Sequence, residues 1–150
     1  MEIVKDPDKI LHKKLEKINQ ITPEIKGVIS DMKKAMEDNS GIGLAANQVG
    51  LDMQIFIIEK NLAKENNVPD VFINPEITDY SKDKSDAEEG CLSIPGYWVD
   101  ILRPKKIMFK ALDENGNKIK FKAKNLLARV IQHEFDHLKG ILISERTDKK

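Results

Sequence analysis

The sequence predicts an α+β fold in which a mostly antiparallel sheet packs around a buried C-terminal helix, with an amphipathic helix near the N-terminus. Three observations carry this expectation. Apolar and polar residues alternate on both sides of Asn115-Gly116, an apolar stripe of helical period follows Asn125, and a second such stripe lies between residues 24 and 38. At 150 residues the chain is long enough for one ordinary hydrophobic core, so residues 1–150 are read as a single domain.

The elements follow in order. Thr22 can cap the first helix with Pro23 at its first position, and Ile25, Val28, Ile29, Met32 and Met36 share one face. Asn39-Ser40-Gly41 stops it. GIGLAANQVG, residues 41–50, leaves its backbone accessible through small side chains, and QIFIIE, from Gln54 to Glu59, is an apolar run of strand length. A short strand from Val71 to Asn74 is expected to end at Pro75, and the polar stretch from Asp79 to Gly90 reads as a loop. KIMFKALDENGNKIKFKA, from Lys106 to Ala123, reads as a hairpin turning at Asn115-Gly116. Asn125 is then placed to cap a buried helix bearing Leu126, Leu127, Val130, Ile131 and Leu138, which Gly140 ends.

Composition narrows the function classes. No apolar run approaches the ~18 residues of a membrane span, and the start, MEIVKDPDKI, lacks the apolar region of a secretory signal. A cytoplasmic protein with no membrane partner is expected. The 25 basic and 25 acidic residues cancel, so no whole-molecule attraction to nucleic acid and no direct nucleic-acid specificity are expected, although a local basic patch stays open. Cys91 is the single cysteine, so no internal disulfide can form; it is an apolar filler, a reactive thiol or a metal ligand.

The chemistry concentrates in QHEFDH, residues 132–137. Positions i and i+4 share a helical face, so His133 and His137 can present both imidazoles to one point, with Glu134 about 100° round the helix from His133. This is the metal-hydrolase pattern His-Glu-x-x-His. A catalytic site needs a third protein ligand and an open position, and the candidates are Cys91, His12 and Glu145. With Glu145 the chain would be a metallopeptidase. With His12 as a fourth ligand it would be a closed, non-catalytic metal module.

Three segments, GIGLAANQ (41–48), EGCLS (89–93) and QHEFDH (132–137), resemble the signature segments of peptide deformylase, in that order, and the resemblance covers nearly the whole chain. It implies one divalent metal on Cys91, His133 and His137: Fe2+ first, with Zn2+, Ni2+ or Co2+ as substitutes. It further implies Glu134 as general base, with the Gln48 side chain and the Leu92 backbone N–H holding the oxyanion. The substrate implied is a formyl-methionyl peptide, extended along Ile42, Gly43 and Gly90, its methionine pocket lined by Leu126, Val130 and the stem of Arg129. Glu89 and Arg103 are expected to pair and fix the ligand segment. Trp98 departs from an arginine found there in some relatives, and either covers the cleft or packs as core. The C-terminal helical extension that contributes to ribosome docking in many bacterial relatives is not seen after SERTDKK, which leaves transient association with the ribosome open.

Overall fold

A computed structural model describes residues 1–146. The regular elements are α1 (Pro23–Asp38), β1 (Gly43–Ala45), β2 (Ile55–Ile58), α2 (Lys60–Glu65), β3 (Val71–Tyr80), β4 (Lys84–Cys91), β5 (Ile94–Pro104), β6 (Lys106–Leu112), β7 (Lys118–Lys124) and α3 (Asn125–Leu138), with single 3-10 turns at Lys9–His12, Ala46–Val49 and Ile143–Glu145. Five strands form one sheet in the order β1-β2-β3-β6-β7, while β4 and β5 form a separate ribbon, and every pairing is antiparallel. The α+β expectation is met.

The first helix forms as its capping residues dictate. Thr22 Oγ1 accepts from the Ile25 N–H at 3.2 Å, Pro23 occupies the first turn, and Ile29, Met32 and Met36 are buried. The hairpin is also as expected: Asp113 Oδ1 accepts from the N–H groups of Asn115 and Asn117, and Gly116 takes φ +85°. Its inner residues feed a core in which Phe56, Phe72, Phe109 and Phe121 meet with ring centroids 5.1 to 6.0 Å apart.

Several expectations are corrected. β3 does not end at Pro75 but continues to Tyr80, because the register with β6 shifts between Ile73 and Glu76 and a bulge there tolerates a residue without an N–H. The stretch from Asp79 to Gly90 is mostly strand: its polar side chains other than Glu89 are exposed or half-buried, and from Lys84 its backbone pairs with β5, an eleven-residue strand with no counterpart among the expected elements. Asn125 does not cap α3. It takes φ +57°, its N–H donates to the Lys105 carbonyl, and Lys124 holds the cap position without a side-chain bond. The short helix α2, capped by Glu59 through the Leu62 N–H at 2.9 Å, was also not foreseen.

Helix α3 packs on β1 and β2 and is buried along its second half, including Gln132, Glu134, Asp136 and His137. Gly140, at φ +76°, ends it where a Cβ would lie 2.6 Å from the backbone of His12 and Lys13. This packing brings three pieces together: the N-terminal end of β1, the turn between β4 and β5, and the middle of α3.

Candidate metal centre

Cys91 closes β4, and His133 and His137 stand one turn apart on α3. Their ligand atoms all lie within 4.8 Å of one another, with Cys91 Sγ 3.4 Å from His137 Nε2. A tetrahedral ion with bonds of ~2.1 Å to nitrogen and ~2.3 Å to sulfur holds such pairs roughly 3.5 Å apart, so the donor set fits one divalent cation. Its chemistry agrees: a thiolate and two imidazoles suit iron or zinc rather than oxygen-preferring magnesium or calcium.

One of the two candidate histidine ligands is oriented from behind, whereas His137 Nδ1 is buried with no hydrogen-bond partner among the described residues. His133 Nδ1 lies 2.8 Å from Glu89 Oε1, which directs Nε2 into the cluster. Glu89 also accepts from Arg103 Nε at 2.6 Å, Arg103 Nη2 at 3.0 Å and Arg129 Nη1 at 2.6 Å. The expected Glu89–Arg103 pair is therefore present and buried. Burial works against the Glu89 charge, but His133 and Arg103 outweigh it and hold the carboxyl at about 2. Around His133, burial opposes protonation, while Glu134, Cys91 and Glu89 together raise the ring to about 10; a cation at Nε2 would answer the same negative surroundings. His137 is driven well down by burial and by His133, and so is a neutral ring suited to ligation.

Glu134 is buried beside the cluster, Oε2 3.9 Å from His133 Nε2, and Oε1 has no hydrogen-bond partner among the described residues. Burial pushes its pKa to about 7, with His133 pulling down and Glu89 pushing up. Gln48 is fixed by its own oxygen, which accepts from the Ala45 N–H at 3.0 Å, leaving Nε2 at 3.3 Å from Ser93 Oγ and 3.6 Å from Cys91 Sγ. Leu92 lies in the turn between β4 and β5.

A cleft of about 510 Å³ opens over this centre and is lined by Ile42, Gly43, Gln48, Gly90, Cys91, Leu92, Leu126, Arg129, Val130, His133 and Glu134, among others. All the residues expected to touch substrate thus meet on one surface. Three of them differ in detail from expectation. Arg129 lends its stem, but its guanidinium is turned away onto Glu89, the Ile101 carbonyl and Ser85. Gly43 and Gly90 make room first for the protein itself: a Cβ at Gly43 would lie 2.7 Å from Glu134 Oε2, and one at Gly90 would lie 2.5 Å from the Trp98 ring. Trp98 is 65% exposed and lines the cleft, so it covers the site and is not core.

The rival ligands fall outside the cluster. Glu145 Oε1 accepts from the Leu142 N–H at 3.1 Å, and His12 pairs with Asp6 at 2.6 Å. What the sequence reading missed is Asp136, buried within QHEFDH, which accepts from Arg103 Nη1 at 3.0 Å and Arg146 Nη2 at 2.6 Å. A second carboxylate within the same six residues was the available signal.

Two imidazoles and a thiolate, backed by a buried carboxylate at the floor of a cleft, define a metal-dependent hydrolase. Comparison with known proteins gives the family: its polypeptide deformylase description matches residues 1–150. The peptide deformylase of Dictyoglomus turgidum is 47% identical over 97% of this chain and 92% of its own, and that of Prochlorococcus marinus subsp. pastoris is 41% identical over 100% and 75%. Among solved structures, the Thermotoga maritima peptide deformylase superposes with a TM-score of 0.90 at 36% identity, covering 97% of this chain and 95% of that one. The Synechococcus elongatus enzyme, solved with actinonin, gives 0.92 at 37% identity over 100% and 80%. The chain belongs to the polypeptide deformylase family, metal-dependent hydrolases that remove the N-terminal formyl group from nascent peptides.

Proposed function

We propose that residues 1–150 act as one catalytic domain that deformylates formyl-methionyl nascent peptides co-translationally in the cytoplasm, with Fe2+ as the working metal and Zn2+, Ni2+ or Co2+ as substitutes. The observation that carries this reading is the convergence of Cys91, His133 and His137 beside the buried Glu134. No helix among the described residues is long and apolar enough to cross a membrane, in keeping with that location. Association with the ribosome is transient in this reading.

Cys91, His133 and His137 would hold the divalent metal, which would supply Lewis acidity and lower the pKa of water at the site. The protein's own groups do the rest. Glu134, raised by burial to about 7, takes the proton of the attacking water and returns it to the leaving amine. As charge develops on the formyl oxygen, Gln48 Nε2 and the Leu92 N–H stabilise it; the Ala45 bond to Gln48 Oε1 prevents that amide from turning over. Formate and a peptide with a free amine are released.

Positioning follows from the sheet. β1 is an edge strand of the five-stranded sheet, so its open side can accept an extended peptide through backbone bonds at Ile42 and Gly43, with Gly90 on the facing wall. The methionine side chain enters the apolar part of the cleft between Leu126, Val130 and the Arg129 stem. The test is formate release from formyl-Met-Ala-Ser by protein prepared anaerobically with iron, beside Cys91→Ala. Release by the parent and loss in the variant are expected; an iron-loaded parent that releases no formate would refute the reading.

A further inference from the structure

The β6–β7 hairpin presents its apolar side to the core through Ile107, Phe109 and Ala123. The opposite side is a field of lysines. Lys106 stands directly across from Lys124 and Lys110 across from Lys120, while Lys122 and Lys118 oppose Met108 and Leu112; all six lysines are exposed. Like charges directly opposite one another weaken a sheet. Edge-strand lysines deter aggregation, which accounts for β7; β6 lies inside the sheet between β3 and β7, where Lys110 pairs with Glu76 but Lys106 needs another reason.

The chain as a whole is electrically neutral, so this face is a local segregation of charge. Glu76 meets Lys110 at 3.3 Å, and the other five lysines form no ion pair among the described residues. None of the six lines the catalytic cleft. Along β7 the four lysines recur at every second residue, roughly 7 Å apart. Such an exposed row has no buried donor to enclose a small anion, and matches instead an extended array of negative charge. The face also has no exposed large apolar residue between the lysines; Met108 and Leu112 are half-buried, so nothing is offered for insertion into lipid.

We propose that the lysine face of β6–β7 binds the phosphate backbone of RNA without reading its sequence. The inference goes beyond the hydrolytic site and does not depend on it. If each lysine of β7 neutralises one phosphate, log K against log salt has a slope of about −3 to −4, and affinity falls about 10²-fold between 50 and 200 mM salt.

The experiment measures binding of the intact protein to a labelled RNA hairpin by anisotropy across that salt range. The comparison is with a variant carrying Lys118→Gln, Lys120→Gln, Lys122→Gln and Lys124→Gln, and a second carrying Lys106→Gln and Lys110→Gln. The expected result is at least tenfold weaker binding and a shallower slope for the first, a smaller loss for the second, and parental formate release for both. Retained release shows that the fold survives and separates this proposal from the deformylase reading. Parental affinity in both variants at 50 mM salt overturns it. So does displacement of the RNA, at equal charge concentration, by phosphatidylglycerol vesicles or by polyglutamate, which would assign the face to a membrane or an acidic polypeptide.

Discussion

Gly43→Ala tests the placement of the proposed base directly. The new Cβ would lie 2.7 Å from Glu134 Oε2, 3.0 Å from Cγ and 3.1 Å from Cδ, where ordinary contact begins near 3.4 Å. The carboxylate must therefore retreat by about 0.7 Å, a distance set by the steep repulsive wall. Glu134 sits near the free end of its side chain at this point, so the retreat costs little stability, but a misplacement approaching 1 Å can cost on the order of 10²-fold in rate. We predict a 10- to 100-fold fall in kcat, which is about 1.4 to 2.7 kcal/mol of barrier, with bound metal unchanged. Steady-state formate release, read beside metal content, separates this from simple obstruction of the peptide, which would raise KM instead. The second arm is the same substitution in a Glu134→Ala background, where it should have almost no further effect on kcat. A Gly43→Ala enzyme with parental kcat, or full additivity in the double variant, would refute the argument.

The remaining predictions concern neighbouring groups. Glu134→Ala should keep one metal per chain by elemental analysis yet lose at least ~10²-fold in kcat; unchanged turnover would remove it as the base. Gln48→Ala should lower kcat by about 10²-fold with little change in KM, and a kcat equal to the parent's would dismiss the oxyanion role. Glu89 is held at about 2 in the folded chain against an ordinary 4.5, so its contribution, roughly 3 kcal/mol, is present above pH 4.5 and is lost as the pH falls through 2. Urea unfolding between pH 6 and pH 2.5 should show this acid slope flattened in Glu89→Gln, together with metal affinity lowered about 10- to 100-fold; parental slope and affinity would count against it.

What the sequence revealed depended on how locally each feature is encoded. The cap at Thr22, the Asn115-Gly116 turn and the i, i+4 pair His133 and His137 are set by residues within one turn of chain, and the structure shows all three. The ribbon of β4 and β5 was hidden because β4 has no apolar face and the apolar alternation of β5, Tyr97, Val99 and Ile101, is short and gives way to Arg103, so each strand depends on the other to satisfy its backbone. Pro75 misled because a bulge, invisible in sequence, absorbs it. The Cys/His/His cluster joins residues 42 and 46 positions apart; the two metal-spaced histidines already favoured a ligand role for Cys91, and the resemblance to a family implied it as the third ligand beside His133 and His137. Asp136 stayed hidden because its partners, Arg103 and Arg146, lie on β5 and beyond α3.

The same ribbon shows why the site is so heavily charged. Two strands alone are marginal in water, and β4–β5 is not hydrogen-bonded to the five-stranded sheet, so something must fasten it to α3. Glu89 does this with all of its acceptor capacity: four N–H donors, from His133, Arg129 and twice from Arg103, occupy about four lone-pair sites. Arg103 then reaches Asp136 on the helix, so the tie runs in both directions between ribbon and helix. Two residues beyond Glu89, the same strand delivers Cys91. One short strand thus supplies one candidate metal ligand directly and orients a second from behind, and neither side chain can move without disturbing the buried charges that hold ribbon and helix together.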